Sequence, residues 1–174
     1  NAEGGIFLNF HNFIQEIQQN NWNVYGVEVY ENGILTHSYG DTDEHLHGIY
    51  SATKTVLSIA VGIAWDRGLI ELNKAVTEYL PVDILASLDK EQRDTFNRIT
   101  IHRLLTMSVG DFPFRAEGDN FLKFALECKI QNPDEQVFNY SNISAYLVGV
   151  ALHYALGDDV GAFIEKNVFA PLGI

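Results

Sequence analysis

The run Gly48-Ile49-Tyr50-Ser51-Ala52-Thr53-Lys54 sets a serine three residues ahead of a lysine, and the residues after it decide the local structure. Val56, Ile59, Ala60 and Ile63 recur at the three- and four-residue spacing of one helix face. A helix is therefore expected from about Ser51 to Arg67, stopped by Gly68. On such a helix positions i and i+3 are neighbours, so the Lys54 ammonium can reach the Ser51 hydroxyl. A serine hydroxyl is a poor nucleophile until a base takes its proton. A lysine can be that base only where burial or nearby positive charge disfavours its charged form. The apolar flanks Ile49, Tyr50, Val56 and Leu57 are expected to supply that burial, and a helix N-terminus favours negative charge developing on the serine oxygen.

Upstream, Phe10, Phe13, Ile14 and Ile17 fall on one face of a first helix, which ends at Asn20-Asn21. Two β-rich runs follow, Val24–Tyr30 and Ile34–Tyr39. The Asn32-Gly33 pair between them supplies two residues that accept φ > 0, as a type I′ hairpin turn requires. Downstream the pattern is helical. Thr100 is expected to cap a short helix, Ile101–Ser108, closed by Gly110. Two further helices are expected at Ile143–Leu156, ending at Gly157, and at Val160–Phe169, terminated by Pro171. Nothing after Tyr39 reads as another strand, yet a two-stranded hairpin needs further strands or helices against it.

The 174 residues, 47% hydrophobic and 20% charged, are enough for a domain with its own core. Eleven basic against 23 acidic residues give a formal net charge of −12, which repels phosphate backbones and anionic lipid headgroups. No nucleic-acid partner is expected. No apolar run is long enough for a membrane span, and Asn1–Phe10 lacks the n- and h-regions of a signal peptide. The single cysteine, Cys128, cannot form an internal disulfide and reads as a core or helix-face residue.

Two short patterns occur twice. Ser87-Leu88-Asp89-Lys90 repeats the serine–lysine spacing, but among Asp83, Asp89, Glu91, Arg93 and Asp94 it reads as an exposed helix, where water and carboxylates keep Lys90 charged. Tyr140-Ser141-Asn142 has a second copy in Tyr30-Glu31-Asn32, where turn chemistry alone explains Asn32. The Tyr140 copy leads into a helix, with Ser141 or Asn142 as its N-cap. A tyrosine near a lysine can carry protons, and an asparagine amide can bind a carbonyl or orient the lysine. His45-Leu46-His47, with Asp41, Asp43 and Glu44, reads as a surface loop rather than a metal site. Thr106-Met107-Ser108-Val109-Gly110 lacks the first glycine of a nucleophile elbow and reads as a helix end. No Walker-type or dinucleotide glycine pattern is present; neither a cofactor nor a metal is expected.

Three elements stand in order: the Ser51–Lys54 helix, the stretch Ile99–Gly110, and Tyr140-Ser141-Asn142 running through Ala145–Gly149 to Phe169–Ile174. Together they resemble the serine beta-lactamase and penicillin-binding protein superfamily. Tyr-x-Asn in place of Ser-Asp-Asn is similar to its class C branch, which includes D,D-peptidases, D-aminopeptidases and esterases. The resemblance implies an α+β beta-lactamase/transpeptidase-like fold, here the N-terminal part only. A sheet-side helix and hairpin (residues 1–50) would precede a mainly helical lobe (51–174), without the C-terminal sheet strands. It implies Ser51 as acylated nucleophile, Lys54 as general base, Tyr140 as proton shuttle, and Asn142 on the substrate amide. The Ser51 backbone N–H would be one oxyanion donor.

Beta-lactams, D-Ala-type peptides, or small esters and amides would be the substrates, and a periplasmic or secreted location is implied. The family's third element, Lys or His, one residue, then Gly, is not found in the chain. Losing the oxyanion donor that goes with it costs on the order of 10²–10³ in rate. These 174 residues alone are therefore expected to be an incomplete enzyme, completed by a missing C-terminal half or a second chain. A binding or sensor module that acylates without turnover is the alternative expectation.

Overall fold

A computed structural model describes residues 9–40 and 46–174, and the chain divides into two compact units, Asn1–Gly48 and Ile49–Ile174. In the first unit Asn9 opens helix α1 (Phe10–Gln19) by accepting the Asn12 N–H at 3.0 Å. Ile17 is its buried residue, and the Phe10 ring lies 4.8 Å from the His37 ring. The expected four-residue stripe is narrower than its spacing implies, because Phe13 stays 39% exposed.

Strands β1 (Gly26–Glu31) and β2 (Ile34–Gly40) pair antiparallel, with Glu31 opposite Ile34 and an irregularity between Val29 and Tyr30. Asn32 (φ 53) and Gly33 (φ 78) make the tight turn. Gly40 closes the hairpin at φ 79, where any Cβ would collide with the Tyr25 carbonyl. Tyr25, Tyr30, Ile34 and Leu35 are exposed. Asp41, Asp43, Glu44 and His45 lie outside the described residues; of that loop Leu46 and His47 are described, with His47 stacked 4.4 Å from the Tyr25 ring.

In the second unit, a 3₁₀ turn (Tyr50–Ala52) leads into α2 (Thr53–Asp66). Short helices follow: α3 (Val82–Ser87), α4 (Lys90–Phe96), α5 (Ile101–Leu105) and α6 (Phe121–Glu127). The long α7 (Asn142–Leu156) comes next, ending in a left-handed Gly157. Ile143, Leu147, Val148, Ala151 and Leu152 of α7 bury against Ala60, Val61 and Ala64 of α2 and Ile101 and Leu104 of α5. Each such large aliphatic side chain contributes about 1.5–3 kcal/mol by leaving water. Among the described residues no single helix is long and apolar enough to cross a membrane.

Strand β1 begins at Gly26 rather than Val24, α2 at Thr53 rather than Ser51, and two helix ends differ further from the sequence expectation. Helix α5 stops at Leu105, not Ser108: Met107 takes φ 51 and the Ser108 N–H turns back to the Arg103 carbonyl at 2.9 Å. Pro171 does not end the last helical stretch. After α8 (Val160–Ile164) the ladder widens into a π turn, Glu165–Phe169, and continues as α9 (Ala170–Leu172), with Pro171 in the first turn, where its missing N–H costs nothing. Gly173, at φ 74, makes the stop.

Candidate active site

Ser51 sits in the 3₁₀ turn just before α2, and Lys54 lies in the helix's first turn. The residue before the serine, Tyr50, has φ 44, a region costing a non-glycine residue of order 1–3 kcal/mol. The Lys54 Nζ donates to Ser51 Oγ at 3.3 Å and to Asn142 Oδ1 at 2.7 Å. The Tyr140 hydroxyl donates to Ser51 Oγ at 2.7 Å, and the Lys54 ammonium lies 5.3 Å from the Tyr140 ring centre. Lys54 and Tyr140 thus meet at the Ser51 hydroxyl, and Asn142 joins the group through Lys54.

The hydrogen bond with Ser51 lowers the Tyr140 phenol below its ordinary pKa. Burial pushes the other way, and the bond and charge of Lys54 add smaller downward contributions. Lys54 is half-buried, and of the four flanks expected to cover it Ile49 is 57% and Tyr50 90% exposed while Val56 and Leu57 are half-buried. The Lys54 amine is held by Tyr140 and Asn142, side chains from a segment far along the sequence. That placement follows from the capping of α7. Ser141, fully buried, is the N-cap: its Oγ accepts the Ile143 N–H at 3.0 Å and donates to the Pro113 carbonyl at 2.7 Å. Asn142 is therefore free of capping duty and turns its amide to the lysine.

Several supports escaped sequence reasoning. The Asn142 N–H donates to the Phe114 carbonyl at 3.0 Å, and the Phe114 ring stacks on Tyr140 at 6.0 Å. Asn139 donates through its side chain to the carbonyls of Val109 (3.3 Å) and Phe112 (2.9 Å), and through its backbone to Met107 (2.8 Å). Arg103, 6% exposed, donates to the carbonyls of Arg98, Ser108, Pro133 and Glu135. Burial pulls its pKa down, and Asp134 opposes that. It pins the approach to Tyr140 against α5. The signal that could have found it is an arginine beside Leu104 on the buried side of a five-residue helix.

The duplicate patterns do not assemble. Ser87 ends α3 with its hydroxyl donating to the Ile84 carbonyl at 2.6 Å, whereas Lys90 begins α4. Tyr30 donates to Glu28 Oε2 at 2.8 Å, and Asn32 serves the hairpin turn. Cys128 follows α6 half-buried, its thiol bonded to the Phe124 carbonyl at 3.4 Å and its pKa raised by burial. Neutral and enclosed, it makes a poor nucleophile.

Comparison with known proteins follows the same line. The sequence model of the Beta-lactamase family matches residues 23–174. No curated protein sequence gives a match. Among solved structures, a beta-lactamase/D-alanine carboxypeptidase from Pseudomonas syringae superposes with TM-score 0.74 at 18% identity, over 94% of this chain and 48% of that one. A class C beta-lactamase in complex with cefoxitin gives 0.73 at 24% identity, again over 94% and 48%. A D-amino acid amidase from Ochrobactrum anthropi gives 0.68 at 19%, over 94% and 50%. At these identities the likeness is one of fold, and the chain spans about half the length of the structures it matches.

Proposed function

The chain belongs to the beta-lactamase family, and from that premise we propose that it forms an acyl-enzyme on Ser51 as a serine hydrolase. The observation that carries this reading is that Ser51 Oγ has a lysine amine at 3.3 Å and a phenol at 2.7 Å. Lys54, as general base, takes the Ser51 proton as the Oγ–carbonyl carbon bond forms. Developing charge on the carbonyl oxygen is met by the Ser51 backbone N–H at the mouth of α2. Tyr140 hands its proton to the departing nitrogen or oxygen as the carbonyl carbon–leaving group bond breaks, and recovers one from Lys54. Asn142 holds Lys54 through its amide oxygen and has its N–H₂ left for a substrate carbonyl. Water then attacks the ester carbonyl, giving the acid and free Ser51.

The substrate class is a beta-lactam, a D-Ala-type peptide, or a small ester or amide. The exposed Tyr25, Tyr30, Ile34 and Leu35 of the hairpin favour a second reading for the isolated chain: further strands cover them, from a C-terminal continuation or a second chain, and the isolated chain acylates without efficient turnover.

Intact-mass analysis after treatment with a fluorophosphonate or a penicillin tests both readings. Wild type and Ser87→Ala gain one adduct and Ser51→Ala gains none. Release of the penicillin adduct with time supports turnover, and a lasting adduct supports the second reading. An adduct on Ser51→Ala overturns the nucleophile assignment.

A further inference from the structure

We infer that the recess beside Asn142 is a substituent pocket that selects substrates carrying an aromatic ring with an anionic group close to it. This rests on Ser51 being the reacting group, because the pocket's meaning depends on where the carbonyl sits. The recess holds about 320 Å³ and is lined by Arg115, Ala116, Phe121, Asn142, Ile143 and Tyr146. A closed apolar cavity of roughly 150 Å³ already takes benzene, so one ring with a short arm fits here.

Asn142 ties the recess to the reacting centre, the walls suit a ring, and Arg115 adds a charge. Asn142 is both its wall and the partner of Lys54, at 2.7 Å, so an occupant lies one side chain from the amine that touches Ser51. The Asn142 amide oxygen is taken by that contact, which leaves the N–H₂ as a donor for an occupant. Phe121 and Tyr146 meet edge to face at 6.3 Å, giving the recess aromatic walls of the kind that grip a ring.

Arg115 supplies the charge. Its guanidinium lies 5.2 Å from the Phe114 ring, which itself stacks on Tyr140, so the cation stands at the end of a row of rings reaching the Ser51 partner. Glu117 and Asp119 follow it in the chain, yet among the described residues no carboxylate lies within ion-pair distance of it. An exposed arginine beside an apolar recess, with no acidic partner among the described residues, can pair with a carboxylate held there.

The test uses the full chain carrying Ser51→Ala, so that binding is read without chemistry, and the probes 3-phenylpropanoate and 3-phenylpropanamide. By ligand-observed NMR titration the acid binds about two- to fivefold more tightly than the amide, as for an exposed ion pair. Raising the salt shrinks that advantage. Arg115→Gln removes it while leaving the amide's affinity unchanged, and Phe121→Ala weakens both probes alike. In the chain with Ser51 present, 3-phenylpropanoate slows fluorophosphonate labelling. Equal affinity of the two probes, an advantage that survives Arg115→Gln, or failure of either probe to bind overturns the inference. Labelling that maps to a residue other than Ser51 sinks the serine-hydrolase reading instead, and leaves the binding preference as a separate result.

Discussion

Two segments of this chain carry a serine three residues before a lysine. In the first, Ser51 and Lys54 occupy one continuous helical entry, and Tyr140 and Asn142 arrive from the start of α7 to hold both groups. In the second, Ser87 closes α3 and Lys90 opens α4, with Asp89 between them as the cap of the second helix. Spacing alone brings two side chains together only while the backbone stays helical across it. Even then, the amine is positioned by groups distant in sequence, not by its neighbours. The comparison separates a pattern of letters from an assembled site.

The largest expected difference between the segments is at the serines themselves. Ser51→Ala abolishes covalent labelling, whereas Ser87→Ala leaves its rate within twofold of wild type, read as adduct mass against time. Lys54→Met comes next and slows acylation by about 10²–10⁴, the range for removing a general base, while Lys90→Met changes nothing. Tyr140→Phe slows it by about 10² and alters the pH profile. Because Ser51 and Lys54 lower the Tyr140 pKa, its proton-donating form is lost below the ordinary tyrosine value of about 10. The wild-type rate therefore falls on the alkaline side earlier than a free phenol would dictate, and Tyr140→Phe removes that limb.

Asn142→Leu follows, with a loss of about 2- to 12-fold, since the hydrogen bond that positions the amine contributes about 0.5–1.5 kcal/mol. The smallest effect is one of stability. Asp89→Ala removes the cap of α4 and lowers the unfolding free energy by about 1 kcal/mol in urea, with no change in labelling.

Much of this is legible in the sequence alone. The Asn32-Gly33 turn, the apolar spacing of α2 and α7, and the convergence of Ser51, Lys54, Tyr140 and Asn142 follow from local pattern and from ordered resemblance. What was not legible depends on backbone groups, which carry no signature in a sequence. Arg103 serves four carbonyls from three separate segments, and no residue type at positions 98, 108, 133 or 135 announces that. Met107 in the left-handed region shortened α5, a conformation expected of glycine or asparagine. Of the flanks expected to bury Lys54, Ile49 and Tyr50 are exposed while Val56 and Leu57 are half-buried, and the amine is held by the α7 entry. A proline ordinarily breaks a ladder, yet Pro171 stands in the first turn of α9, after the π turn, where its missing N–H costs nothing.

Peptide mapping by tandem mass spectrometry of the fluorophosphonate-treated chain addresses the reacting hydroxyl directly. One adduct on the peptide holding Ser51, dependent on an intact Lys54, is the predicted result. An adduct on Ser87 or Cys128, or one on Ser51 that forms equally fast in Lys54→Met, would contradict the assembly of amine, phenol and hydroxyl on which the proposed chemistry stands.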